Sequence, residues 1–173
     1  MRANVRSFAC LIGVTTILAS ACGGPTILSD YGSAYSVWGY SRGTRQQLHN
    51  GVDFAGGFGE PVLAAADGTI ARAGTMGPSC GVGVSIRHKF GLPTAYCHMA
   101  MVQVAPGAAI KRGQTIGTIG MSGDYGGVTH LHFMLGPNGD HDPMKYIVGC
   151  YEAGVEYPAD KLILTYPLAC RNR

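Results

Sequence analysis

Short apolar runs, each bounded by glycine or another turn residue, set the strongest constraint on what this 173-residue chain can fold into. The runs are too short for helices that pack on a core, and their length is typical of β-strands. No window has the long apolar stripe of an amphipathic helix. The pattern predicts a mainly β protein, a single antiparallel β-sheet domain with long loops. The predicted strands lie at 61–66, 69–73, 83–88, 94–99, 115–120 and 130–135, and residues 89–93 are predicted to form a hairpin loop.

The composition fits one globular domain and excludes several function classes. Apolar residues make up 46% of the chain, which excludes wholesale disorder, and the length leaves little room for a second domain. Lysine and arginine number 13 against 10 acidic residues, which gives a formal net charge of +3. No basic stripe of the kind that binds DNA or RNA is visible, so no nucleic-acid partner is expected.

The first 21 residues have the pattern of a signal peptide. Arg2 and Arg6 precede an apolar run over residues 8–21, which suits a secretory signal and is short for a membrane span of about 20 residues. Positions 19–21 hold the small residues that a signal peptidase requires before its cleavage site. The sequence therefore predicts an exported protein.

Cys22 follows directly, and residues 18–22 (LASAC) resemble a bacterial lipoprotein signal. This resemblance implies that Cys22 is lipidated, becomes the first residue of the mature chain and ties the protein to a membrane. An ordinary exported protein cut at the same bond is the alternative. Residues 22–36 are small and polar, with glycine and proline, and are predicted to form a short tether.

The cysteines agree with export. If Cys10 leaves with the signal and Cys22 carries lipid, an even number remains, namely Cys80, Cys97, Cys150 and Cys170. An even number in an exported chain predicts two disulfides, for which three pairings are open. Proximity in sequence favours Cys80–Cys97 with Cys150–Cys170. Without the lipid, one cysteine would be left over.

Histidines and one aspartate form the most informative polar pattern. His130 and His132 lie two residues apart on a predicted strand, so both imidazoles point to one face. His49 precedes Asp53 by four residues, at a turn that enters another strand. One carboxylate with imidazoles is a standard ligand set for zinc, and the joint occurrence of these motifs on separate strands gives them weight.

A third motif pairs Tyr96 with His98, which a regular strand would place on one face. Cys97, between them, is expected to point the other way and to form half of a structural disulfide rather than a fourth metal ligand. His88 and His141 match none of these motifs and are expected at the surface.

Taken together, the motifs resemble those of the lysostaphin-like zinc metallopeptidases, also called LytM-type peptidoglycan endopeptidases. The matching residues are His49 and Asp53 of His-x-x-x-Asp, Tyr96 and His98 of Tyr-x-His, and His130 and His132 of His-x-His. The resemblance extends over residues 38–146 and implies a LytM-type domain at 37–147. Residues 148–173 lie outside it and are expected to form a disulfide-closed C-terminal extension.

The resemblance implies a role for each site residue. The implied zinc ligands are His49, Asp53 and His132, and the implied catalytic residues are His98, His130 and Tyr40, with the tyrosine helping to stabilise the reacting oxygen. Three protein ligands leave a fourth position of the metal open for water, as in catalytic rather than structural zinc sites. The sequence does not decide which of the two catalytic histidines is the general base.

The resulting interpretation is a zinc-dependent endopeptidase that hydrolyses peptide cross-links of peptidoglycan. Lipidated Cys22 would hold it on the periplasmic side of a Gram-negative envelope, at the outer membrane. Stem and cross-link peptides of peptidoglycan are its expected partners, and a regulatory protein is a further candidate partner. Two alternatives stay open: a non-catalytic LytM-type domain that activates a cell-wall amidase, and a structural envelope lipoprotein.

Overall fold

The computed structural model describes residues 22–36, 48–123 and 127–172, so the predicted signal peptide and Tyr40 lie outside the described residues. The strands are β1 (Cys22–Gly23), β2 (Ile27–Ser29), β3 (Val52–Ala55), β4 (Pro61–Leu63), β5 (Gly68–Thr75), β6 (Val82–Arg87), β7 (Thr94–Cys97), β8 (Met99–Val102), β9 (Ala109–Ile110), β10 (Thr115–Ile119), β11 (His130–Leu135) and β12 (Arg171–Asn172). A 3₁₀ turn spans Pro143–Lys145. Within the described ranges, no helix is long and apolar enough to cross a membrane.

The strands pair into a large sheet and two smaller ones. The large sheet has seven strands in the order β2-β3-β11-β7-β6-β5-β9, and a second sheet has the order β4-β10-β8. The short strands β1 and β12 pair with each other. All these pairings are antiparallel, and each predicted apolar run supplies a strand. The prediction of a mainly β, antiparallel fold is confirmed.

One face of the large sheet packs into the hydrophobic core, and this decides which side chains lie on its other face. Along β11, Leu131 and Phe133 are fully buried in the core. The Phe133 ring packs against Tyr96 of β7, with ring centroids 5.1 Å apart. Because side chains alternate along a strand, His130 and His132 project from the opposite face.

The predicted strand at 94–99 is interrupted at His98. β7 ends at Cys97, β8 begins at Met99, and His98 between them has a φ of 63°. Regular alternation would place His98 on the core face with Tyr96, but this left-handed residue reverses the alternation. The imidazole of His98 therefore packs beside that of His130, with centroids 4.7 Å apart. The expectation that Tyr96 and His98 share one face is wrong for this reason.

The segment predicted as a tether takes part in the fold. Its β2 strand forms an edge of the large sheet and pairs with β3, with Ile27 opposite Phe54 and Ser29 opposite Asp53. Ile27 packs against the hydrophobic core, and burial of this apolar side chain favours docking over free solution. A free tether over 22–36 is therefore not what these residues form.

The C-terminal extension also packs onto the core. Leu164 and Leu168 are buried there, and the backbone N–H of Thr165 donates to the carbonyl of Ala65 at 3.0 Å. A disulfide joins Cys150 to Cys170 within the extension. The second disulfide joins Cys80 to Cys97, so both favoured pairings are confirmed.

His88 is not a surface residue, contrary to expectation. It is buried at the end of β6, with Nδ1 2.7 Å from the carbonyl oxygen of Asp67 and Nε2 2.8 Å from the Thr94 hydroxyl. These partners come from neighbouring segments of the fold, and they satisfy both ring nitrogens away from water. The His141 side chain is 38% exposed, beside Asp140.

Candidate metal centre

Three of the predicted site residues converge on the face of the large sheet that carries His132. The antiparallel pairing of β3 with β11 sets Asp53 directly opposite His132, and His49 lies just before β3. The Asp53 Oδ1 atom is 2.8 Å from His132 Nδ1 and 3.1 Å from His49 Nε2, and the two nitrogens are 3.0 Å apart. Ligand atoms around a tetrahedral zinc ion, each about 2.0–2.1 Å from the metal, lie about 3.3 Å from one another. This cluster could therefore hold a metal ion with only small adjustments.

The tautomer of His49 favours a cation in the cluster. His49 Nδ1 lies 2.8 Å from the carbonyl oxygen of Asp30, and a carbonyl can only accept a hydrogen bond. Nδ1 therefore carries a hydrogen, and a ring that holds only this hydrogen faces the Asp53 carboxylate with the lone pair of Nε2. A lone pair and a carboxylate oxygen 3.1 Å apart repel each other unless a proton or a cation lies between them.

The charge states in the cluster also suit metal binding. Burial alone raises the pKa of the Asp53 carboxyl, but the adjoining imidazoles of His132 and His49 outweigh it, so the pKa lies well below its ordinary value. Burial lowers the pKa of His132, against the opposing effect of its hydrogen bond to Asp53. An ionised carboxylate and neutral imidazoles are the forms that coordinate metals.

Two further histidines lie beside the cluster, each anchored through Nδ1. His98 Nδ1 donates to the carbonyl of Ser122 at 2.8 Å, and His130 Nδ1 donates to the carbonyl of Val128 at 2.9 Å. His130 Nε2 lies 3.8 Å from Asp53 Oδ1, so this ring borders the cluster through that nitrogen. In a ring whose single hydrogen is held at Nδ1, Nε2 is the nitrogen able to accept a proton.

Burial lowers the pKa of His98 to about 4, and the nearby His130 and His132 act in the same direction. A neutral His98 at physiological pH can act as a proton acceptor or as a hydrogen-bond partner for water. The His98 ring centroid is 5.8 Å from that of His132, so this acceptor lies next to the candidate metal ligands.

Two glycines allow the backbone to approach these histidines closely. A Cβ atom on Gly51 would lie 2.6 Å from the Phe133 carbonyl oxygen and 2.7 Å from Cε1 of His132. Gly120 donates its N–H to the carbonyl of His98 at 2.9 Å and forms a β-bridge with His130. A side chain at Gly51 would therefore push His132 out of the cluster.

The structure brings together His49, Asp53, His98, His130 and His132, all five of the predicted site residues that it describes. Tyr96 lies apart from them, because its hydroxyl accepts the backbone N–H of Ala65 at 2.9 Å in the core, where burial raises its pKa to about 12. The sequence did not reveal the carbonyls of Asp30, Ser122 and Val128 as partners of the site, since every residue has a carbonyl. Ser29 was also missed, because its polar neighbourhood was interpreted as a tether.

The family model described as Peptidase family M23 matches residues 47–143, which is more than half of the chain and includes all five convergent residues. The chain belongs to peptidase family M23. The lysostaphin-like resemblance inferred from the motifs is thus confirmed, and the M23 match ends at the 3₁₀ turn, ahead of the C-terminal extension.

Known relatives of this M23 protein are found by sequence and by structure. It is 40% identical over 93 residues to the DD-carboxypeptidase/endopeptidase Mpg of Neisseria meningitidis, over 54% of this chain and 21% of Mpg. The chain thus spans about a fifth of the length of this curated relative.

Its fold is similar to that of the catalytic domain of lysostaphin, an antimicrobial peptidase from Staphylococcus simulans. The TM-score is 0.61 at 31% identity, over 70% of this chain and 91% of that one. A zinc-containing peptidase from Vibrio cholerae gives a TM-score of 0.55 at 31% identity, over 66% and 34% of the respective chains.

Proposed function

We propose that this M23 protein is a zinc-dependent endopeptidase that hydrolyses peptide cross-links of bacterial peptidoglycan. The observation that carries the proposal is the meeting of three ligand atoms within 3.1 Å, next to two histidines anchored through Nδ1. Mpg, lysostaphin and the zinc-containing peptidase from Vibrio cholerae support the peptidase class by name.

His49, Asp53 and His132 would hold the metal in this proposal. Bound zinc would act as a Lewis acid and would lower the pKa of a coordinated water to about 7. The three residues would supply two imidazoles and one carboxylate, a set of three protein ligands that is typical of catalytic zinc sites.

His98 and His130 would handle the proton. One accepts it at Nε2 from the attacking water, and the other orients the water or the scissile carbonyl. Their Nδ1–H groups stay bonded to the carbonyls of Ser122 and Val128, so both rings keep the tautomer that leaves Nε2 as the proton acceptor. General acid–base assistance of this kind is typically worth about 10²–10⁴-fold in rate.

The residues of the site argue against both alternative functions, the amidase activator and the structural lipoprotein. A domain that only activates an amidase has no need for a complete set of ligands and proton-transfer histidines, yet the described site contains all five. A purely structural zinc site is usually closed and rich in cysteine. Here Cys80, Cys97, Cys150 and Cys170 are paired in disulfides, so none is a thiolate ligand.

The proposed location is the periplasmic side of a Gram-negative outer membrane, through lipidated Cys22. Several acyl chains anchor a protein stably, whereas a single one binds only marginally. Only residues 23–26 separate Cys22 from β2, so the anchor would hold the domain close to the membrane. With about 3.3–3.6 Å per extended residue, this spacer reaches less than about 20 Å.

The test is digestion of purified sacculi by residues 23–173, with disulfides formed and zinc loaded. Mass spectrometry of the released peptides should show cross-linked dimers lost and monomers gained, and a chelator should abolish the change. The monomer termini identify the bond cleaved. Intact dimers after incubation with folded, zinc-loaded protein would contradict the proposal and favour the activator.

A further inference from the structure

We infer that residues 29–33, here called the N-terminal strap, are part of the metal centre and that Ser29 is a positioning residue for His49. The inference rests on the proposed function, because it takes His49 to be a metal ligand. The strap precedes the M23 match, which begins at residue 47.

The side-chain contact is made at the nitrogen of His49 that faces away from the cluster. Ser29 Oγ lies 3.2 Å from His49 Nδ1, and the carbonyl oxygen of Asp30 lies 2.8 Å from the same atom. The Ser29 hydroxyl donates to the carbonyl of Tyr35 at 3.3 Å, so its lone pairs are directed at the Nδ1–H of His49. Both strap oxygens thus accept one hydrogen and fix the tautomer that presents Nε2 to the metal.

The strap also holds the backbone of His49 from both sides. Gly32 donates its N–H to the carbonyl of His49 at 2.8 Å, and the N–H of His49 donates to the carbonyl of Ser33 at 3.1 Å. Gly32 has a φ of 73°, which lets the strap turn back tightly after Asp30. Ring and backbone of one residue are therefore fixed by the same short segment.

The same segment is in register with a second candidate ligand. Ser29 lies opposite Asp53 in the β2–β3 pair, and Ser29 and His49 are both buried, with 6% and 3% of their surfaces exposed. Water competes poorly for a hydrogen bond in such a position. Hydrogen-bond partners of this kind orient metal-bound histidines, and their loss typically costs 10–100-fold in metal affinity or activity.

The test compares zinc affinity in three variants of the full mature chain, by competition with a chromophoric chelator and without any substrate. Ser29→Ala should weaken zinc binding about tenfold, the lower end of that range, because the Asp30 carbonyl remains. Ser29→Thr keeps a hydroxyl and should bind within about threefold of wild type. Ser85→Ala is the matched control, since it removes the hydroxyl of a half-buried serine on β6, outside the strap and the cluster. It should bind zinc as wild type does.

A second readout follows the tautomer directly, through the ¹⁵N resonances of labelled histidines. Wild type should show His49 with hydrogen on Nδ1 and slow solvent exchange, and Ser29→Ala should speed that exchange. Wild-type zinc affinity and exchange in Ser29→Ala, or equal losses in Ser85→Ala, would overturn the inference. A protein that behaves as expected here but leaves sacculi intact would contradict the endopeptidase and not the strap.

Discussion

The backbone N–H of His98 donates a hydrogen bond to the carbonyl oxygen of Cys80, 2.9 Å away. Cys80 is also disulfide-bonded to Cys97, the residue that precedes His98. His98 is the one non-glycine residue with a positive φ in the described part of the chain. A left-handed conformation is costly for a residue with a side chain, so the surrounding structure must hold it. The disulfide therefore fixes the backbone at Cys80, which accepts this hydrogen bond, and at Cys97, which precedes its donor His98.

We therefore expect Cys80→Ala with Cys97→Ala to lower turnover more than it lowers metal binding. A displacement of about 1 Å in a catalytic group can cost about 10²-fold in rate. His132 lies opposite Cys97 in the β7–β11 pair, but its place is also fixed by the pairing of β11 with β3, so the zinc content should stay close to the wild-type level. The measurements are turnover on cross-linked peptide dimers and bound zinc per chain.

The matched control is Cys150→Ala with Cys170→Ala. The two disulfides close loops of similar length, with sequence separations of 17 and 20, so both double variants should lose a similar amount of stability, about 2–5 kcal/mol. Only the first should lose turnover at a temperature where both are folded. Equal losses of turnover in the two double variants would show that the Cys80–Cys97 disulfide contributes only to stability and does not position His98.

His88 should make the protein less stable in mild acid. Burial lowers its pKa, the nearby Arg112 guanidinium adds to this, and the hydrogen bond to the Asp67 carbonyl opposes both. The unfolded chain therefore binds a proton at a higher pH than the folded chain does. The stabilising contribution is complete above the ordinary pKa of about 6.5 and is lost as the pH falls below it.

Urea unfolding of the metal-free protein at pH 7.5 and pH 5 measures this effect. Wild type should lose more unfolding free energy between the two pH values than His88→Gln does, because the amide does not titrate. Comparing the pH-dependent change in unfolding free energy, and not its absolute value, cancels the loss of stability that the substitution itself causes. Identical changes in unfolding free energy for wild type and His88→Gln would mean that the imidazole takes up its proton equally in the folded and unfolded states.

Cys22→Ala should release the mature protein from the membrane fraction and abolish incorporation of a labelled fatty acid. The fold should survive, since Cys22 pairs with Asn172 through the backbone. Zinc content of the variant checks that the site is intact. Continued sedimentation of the variant with membranes would refute lipidation at this cysteine as the anchor.

Local pattern predicted the strands because apolar runs and turn residues are short-range signals, whereas the set of candidate site residues came from the resemblance of the combined motifs to a known family. Alternation along β11 places His130 and His132 on one face, and the turn before β3 brings His49 next to Asp53. The reversal at His98 was not predictable, because it depends on a bond to Cys80, which is distant in sequence.

Residues supported by distant partners were also missed. His88 is buried because Asp67 and Thr94 satisfy its two nitrogens, and a single histidine at a strand end gives no sign of this. The N-terminal strap has little apolar surface, so its composition resembles that of a linker. Its role follows only from pairing of β2 with β3.

The most direct test of the division of the site into three metal ligands and two proton-transfer histidines measures zinc content and turnover together. The variants are His132→Ala and His130→Ala, two residues apart on β11. We expect His132→Ala to lose both zinc and activity. His130→Ala should keep about one zinc per chain and lose about 10²–10⁴-fold in turnover on cross-linked dimers. Loss of zinc from His130→Ala, with zinc retained in His132→Ala, would contradict the account.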